Sequence, residues 1–186
     1  MNVIKKIRLE LGLSQIDLAG KSGLSLRTIQ RVETDSYQPK GHTLRVLADV
    51  FGVESNELQN RFLSADQVKQ NDILSIKFIN LSALAFFVIP FGNLIFPLML
   101  WRKKRTSITV DNSGRDIINF QMTWSFTLMI LLSVSPFISR SLFPSFPLIL
   151  FVLFVAIVIN LIVVFMTAHH LYRDGTCWVT SPIRFL

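Results

Sequence analysis

Residues 14–33, SQIDLAGKSGLSLRTIQRVE, decide how the first third of this 186-residue chain folds. Ser14 stands where a helix N-cap belongs, and Leu18 and Ala19 fall on one face of the helix that follows. Gly23 supplies the bend, because glycine takes a left-handed φ without steric cost. Ser25 then caps a second helix, on which Ile29 and Val32 point back toward the first. That leaves Leu26, Arg27, Gln30 and Arg31 facing outward. Two short helices around a tight turn form the arrangement whose second helix enters the major groove of DNA.

Val3, Ile4, Ile7 and Leu11 recur at helical spacing and predict a helix over residues 2–11, ended by Gly12. Pro39 and Gly41 break the chain after residue 33. Leu44, Leu47, Ala48 and Phe51 share one face of a helix over residues 43–51, and Gly52 stops it. Ser55 caps a last helix over residues 56–62 that buries Leu58 and Phe62. Five short helices in residues 1–63 make a small core of workable size.

These residues resemble the Cro/CI-type (XRE) DNA-binding domain of phage repressors. The resemblance rests on Arg8, GLSQ at 12–15, LA at 18–19, SGLS at 22–25, TIQRVE at 28–33 and LADVFGV at 47–53, and covers most of residues 2–60. Thr34-Asp35 stand where many members have a glycine. The resemblance implies that Leu26, Arg27 and Arg31 face base edges of double-stranded DNA. It further implies that Gln15, Ser25, Thr28 and Gln30 meet the sugar-phosphate backbone, and that Arg8 pairs with Glu33 inside the domain. Side-chain chemistry suits these roles: arginine donates two hydrogen bonds to guanine, and leucine can touch a thymine methyl. The plainer reading of Arg27 and Arg31 is a solvated helix face, since four-residue spacing puts them side by side.

Nine Lys/Arg against seven Asp/Glu through Leu63 leave this domain at only +2. A monomer should therefore bind DNA modestly and lose affinity with salt. A homodimer, or concentration at a surface, would raise it.

Beyond Asp72 the composition changes. No Asp, Glu, Lys or Arg occurs in residues 78–101, 117–139 or 141–171. About 20 apolar residues span the hydrocarbon of a bilayer, so each run is long enough to matter to one. The whole chain carries 19 Lys/Arg against 12 Asp/Glu, a net +7 that averages over two very different parts. Residues 1–13, MNVIKKIRLELGL, are charged throughout and do not read as a secretory signal. Residues 64–75, SADQVKQNDILS, read as a linker, either extending the preceding helix or running as a tether of roughly 40 Å at most.

Within residues 76–101 the centre is broken by Pro90-Phe91-Gly92-Asn93, and four cations follow at 102–105. A single straight crossing from a cytoplasmic residue 75 would place those cations outside, against the positive-inside rule. A helical hairpin turning at residues 90–93 keeps both ends inside. Residues 106–119 read as a polar loop, with DNSG at 111–114 as turn chemistry. A helix from about Arg115 then crosses the membrane, residues 139–147 form a short outer loop, and residues 148–166 return. PFGNLIFPLMLWRKK, DNSGRDIINFQ and the terminal YRDG and SPIRFL resemble a small bacterial membrane-domain family of unknown function, itself distantly similar to the membrane component of the chloroplast import translocon.

Catalysis finds little support. Cys177 is the single cysteine, so no internal disulfide framework exists. His169 and His170 are adjacent and do not share a helix face, which argues against a metal pair. Asn93, Asn119, Gln121 and Asn160 are the polar groups of the apolar half, and such groups more often bond across helix interfaces than line a pathway. No nucleophile–base set, phosphate loop or metal-ligand spacing is present, and no cofactor is implied.

The sequence thus reads as all-α: a five-helix helix-turn-helix domain in residues 1–63, then a transmembrane domain in residues 76–186 built of a short hairpin and two spanning helices. It predicts a bacterial transcriptional regulator, multi-pass in the inner membrane with its DNA-binding domain in the cytoplasm, answering an unknown signal or membrane partner. A translocation or channel-like membrane component with an accessory N-terminal domain is the alternative, and an anchor tethering DNA to the membrane is a third reading.

Overall fold

The computed structural model of the chain describes residues 2–34, 37–87, 89, 91–142, 148–181 and 183–186, and its secondary structure among them is helical. Asp35, Pro90, most of the outer loop at 143–147 and Pro182 lie outside the described residues. Packing divides the chain into two compact units, residues 1–69 and 70–186.

In the first unit, α1 (Val3–Glu10), α2 (Gln15–Ser22), α3 (Leu26–Val32) and α4 (Gly41–Phe51) are followed by α5 (Ser55–Ser82). Local chemistry sets the starts. Asn2 caps α1 through Ile4 N at 2.9 Å, and Ser14 and Asp17 form a reciprocal capping box on α2. Gly23 closes α2 at φ 66°, which lets the chain turn at once into α3. Ile4, Leu18, Ile29, Val32, Leu47 and Leu58 are fully buried together, each such side chain adding about 1.5–3 kcal/mol of hydrophobic stabilisation. Leu18 and Ile29 are the inward pair that the spacing predicts, whereas Ile16 on α2 is 70% exposed.

The helix anticipated over residues 56–62 does not end there: α5 continues to Ser82, with the boundary between the units inside it at Lys69 and Gln70. No glycine or proline interrupts residues 55–82, so nothing in the backbone stops the helix. Near the end of the first unit, Gln38 donates to the Asp66 carboxylate of α5.

In the second unit, α5 passes into a 3₁₀ turn (Ala83–Phe87), and α6 (Gly92–Lys104) doubles back. Three contacts show the reversal. Lys104 Nζ lies 4.3 Å from the Phe78 ring, Ser107 Oγ donates to Asp72 at 2.8 Å, and a Cβ on Gly92 would stand 2.5 Å from the Ala85 carbonyl oxygen. The chain therefore forms the hairpin and not one straight crossing. Phe91 holds a left-handed φ of 61° at the turn, an uncommon conformation for a bulky side chain.

The predicted polar loop at residues 106–119 is instead the start of α7 (Ile108–Leu142), capped by Ser107 Oγ on Val110 N at 3.1 Å. Turn propensity at 111–114 loses to packing: Trp101 is 5% exposed and lies against Gly114, where an added Cβ would come within 2.2 Å of its Cδ1. Pro136 sits inside α7 and supplies no amide hydrogen for the Leu132 carbonyl. Ser135 Oγ donates to that oxygen at 3.1 Å. α8 (Leu148–Arg173) runs past the predicted end at residue 166, with His169 and His170 in its last turns.

α7 and α8 are long and apolar enough to cross a membrane. Phe126, Met129, Leu131, Phe137, Leu150, Phe154 and Phe165 are exposed on them, an apolar surface far beyond scattered single residues and suited to lipid. Polar side chains close the helices on one another. Asn93 Nδ2 donates to Gln121 Oε1 at 3.2 Å and to Ser125 Oγ at 2.8 Å, and Asn160 Nδ2 donates to the same Gln121 oxygen at 3.2 Å. Asn80 donates to the Val164 carbonyl at 2.7 Å, and Asn119 Oδ1 accepts from the amides of Phe185 and Leu186.

A helical glycine is ordinarily improved by alanine, yet Gly114→Ala should destabilise the second unit by about 1–3 kcal/mol through overpacking against Trp101. Denaturant unfolding of the detergent-solubilised chain would measure this, and in a Trp101→Ala background the same Gly114→Ala change should cost little, because the overpacked ring is gone.

Candidate nucleic-acid interface

The outward face of α3 is built by its cap and its buried side. Ser25 Oγ accepts from Thr28 N at 3.1 Å and lies 2.8 Å from Thr28 Oγ1, so the first turn starts sharply. With Ile29 and Val32 fully buried, helical geometry forces Leu26, Arg27, Gln30 and Arg31 outward, and all four are exposed. Thr28 is half-buried at the edge of this face. The residues predicted to meet DNA thus share one exposed surface, apart from Gln15.

Gln15 belongs to a network under that surface. Arg8 Nε and a terminal nitrogen reach the Glu33 carboxylate at 2.5 and 3.1 Å, and Arg8 also donates to the Leu13 carbonyl at 2.7 Å. Gln15 Nε2 donates to the other side of the network, Glu33 Oε2, at 2.7 Å. One of the two amide hydrogens that a phosphate could use is therefore taken. Arg8 and Glu33 side chains are 8% and 4% exposed, making this a buried pair that ties α1 and the start of α2 to the end of α3.

Sequence reasoning missed Tyr37. The Arg31 guanidinium lies 4.5 Å from the Tyr37 ring centroid and donates to its hydroxyl at 3.3 Å. An aromatic residue six positions beyond an arginine, across a break in helix, carries no periodic signal. The stack ties Arg31 to Tyr37, and is worth about 0.5–1 kcal/mol at an exposed site.

Burial pushes the Glu33 carboxyl up, but hydrogen bonds from Arg8 and Gln15 and the charges of Arg8 and Lys5 outweigh it, and the net shift is downward. Cys177 chemistry is unpromising: burial pushes its thiol up to about 11, leaving little thiolate at neutral pH. His170 Nε2 lies 3.1 Å from Asp174.

A carboxylate with a depressed folded-state pKa stabilises the fold above its unfolded value, and that contribution disappears as pH falls through the folded value. Hydrogen-exchange protection of α1–α4 in the full chain should hold at neutral pH and fall below about pH 4.5, the ordinary glutamate range. Glu33→Ala should cost about 3–5 kcal/mol at pH 7, because Arg8 is left buried without its partner, and should flatten this acid limb.

Residues 4–58 match a helix-turn-helix family, of the XRE type. No curated protein and no solved structure matches the chain. Residues 71–186, well over half of the chain, match the magnetosome magnetite crystal formation protein family (MamF/MmsF), a membrane-protein family; the more distant likeness to a translocon component is no part of that match. The chain is a member of the magnetosome magnetite crystal formation protein family, and it carries an XRE-type helix-turn-helix region at its N-terminus.

Proposed function

We propose that this protein is a membrane-anchored, sequence-specific DNA-binding regulator of transcription. The carrying observation is the exposed set Leu26, Arg27, Gln30 and Arg31 on a capped helix within an XRE-type region, in one chain with a membrane-family domain. In this reading residues 1–63 form the DNA-binding domain, 64–75 the linker and 76–186 the membrane domain. Arg27 and Arg31 donate to guanine edges and Leu26 packs on a thymine methyl. Ser25, Thr28, Gln30 and the free amide hydrogen of Gln15 set the register on the backbone. Tyr37 positions Arg31. A homodimer would read two half-sites about one helical turn apart, offsetting the low charge of a single copy.

The membrane domain sits in the bacterial inner membrane with the DNA-binding domain in the cytoplasm. The basic run at 102–105 then lies inside, as the positive-inside rule requires. Lys104 lies over Phe78, and Arg105 and Arg115 lie 5.2 and 5.6 Å from the Trp101 ring, so three cations of this end rest on aromatic faces. Family membership of residues 71–186 favours one other reading, a membrane component with its own task and an accessory N-terminal domain. A cellular phenotype that survives deletion of residues 2–63 would select it.

Arg27→Ala with Arg31→Ala should abolish retention of specific DNA by the full chain while leaving membrane insertion unchanged. Tyr37→Ala should weaken specific binding about two- to fivefold, and Tyr37→Phe should weaken it less, because the stack remains. Genome-wide mapping of bound DNA beside a transcript profile of a deletion strain checks the regulatory role. Many bound sites with unchanged transcripts would point to a DNA anchor instead. Reporters fused after residues 75, 105 and 186 should score cytoplasmic and one after residue 142 external.

A further inference from the structure

The hairpin is shorter than the helices it packs on. Its turn meets α7 at Gln121 and Ser125, whereas α7 runs on to Leu142, roughly 25 Å further. Beyond the turn a cavity of about 310 Å³ opens between α7 and α8, walled by Phe91, Trp124, Leu128 and Ala156. Its volume and its mainly apolar wall match those of small-molecule sites between helices of a bundle.

The cavity has a polar end. Asn93, Ser125 and Asn160 line it, and Gln121 lies behind them at 1% exposure. Asn93 uses both amide hydrogens, on Gln121 and Ser125, and Asn160 uses one, on Gln121. Among the described residues no group bonds Asn93 Oδ1, receives the Ser125 hydroxyl hydrogen, or takes the second amide hydrogen of Asn160. An acceptor and two donors are thus available at the end of an apolar chamber. Among the described residues no Asp, Glu, Lys, Arg or His lines it. A charged occupant would have no counter-charge there, and a purely apolar one would leave these groups without partners, each at a cost of several kcal/mol in hydrocarbon.

We infer that this cavity binds a neutral lipid whose head carries both a hydroxyl and a carbonyl, of the acylglycerol type, entering from the surrounding bilayer. The head lies against Asn93, Ser125 and Asn160, with the start of an acyl chain along Trp124, Leu128 and Ala156. This rests on the reading that residues 76–186 sit in a bilayer, which is checked first in the same sample.

The full-length chain is reconstituted into phosphatidylcholine nanodiscs with a diazirine-bearing monoacylglycerol at low mole fraction. Failure of the chain to co-purify with the discs would sink the membrane reading before any photolysis. With insertion established, adducts mapped by mass spectrometry should concentrate on residues 124–132 and 156–160, and excess unlabelled monoacylglycerol should lower them about tenfold. Ala156→Phe fills the chamber and should remove the same adducts. Leu128→Trp repeats the test should the first variant fail to fold. Adducts spread evenly along the outer faces of α7 and α8, or persisting in a folded filled variant, would overturn the site. So would absence of labelling, which leaves water as the occupant. Equal labelling and competition by a diazirine phosphatidylcholine would overturn the preference for a neutral head.

Discussion

A polar group taken out of water must find a partner, and both units of this protein are organised around meeting that demand. In the first unit the group is the Glu33 carboxylate, answered by Arg8 and Gln15. The pair stabilises the fold only because both partners are present, since an isolated buried charge is far more costly than the pair is beneficial. In the second it is the Asn93–Gln121–Asn160 set, closed across three helices with Ser125. In lipid these bonds also fix register, because the apolar surfaces of α7 and α8 pack equally well in many relative positions.

The consequences for the proposed DNA-reading face follow from where Glu33 lies. It ends α3, so the ion pair pins the far end of that helix while Ser25 sets the near end. A seven-residue helix too short to be stable by itself is thereby held at both ends. Its outer face is free for contacts because Ile29 and Val32 are committed to the core. In the proposed DNA-binding role, low net charge makes recognition depend on these few side chains more than on general attraction to phosphate.

The helix-turn-helix was legible because its signals are local: caps at Ser14 and Ser25, a glycine at the turn, and apolar residues one helical turn apart. The charge-free runs and the break near Gly92 were legible for the same reason, and the positive-inside rule selected the hairpin that Phe78 and Lys104 display. Local signals also misled. DNSG at 111–114 reads as a turn, but Trp101 packs where only glycine leaves room, and the segment is helical. Tyr37 and Asn80 were overlooked because their partners, Arg31 and the Val164 carbonyl, are identified by proximity in space and by nothing in spacing along the chain.

The all-helical class, the change from a charged to an apolar half, and the outward face of α3 can all be read along the chain. Each of these depends on periodicity or composition within one helix length. Packing in three dimensions settles that α5 runs to Ser82, that Gln15 joins the Arg8–Glu33 pair, and that a hairpin shorter than its neighbours leaves a chamber with a polar end. Those features depend on which side chains meet across elements far apart in sequence. Neither hydrophobic periodicity nor helix propensity specifies such meetings, because both describe one helix at a time.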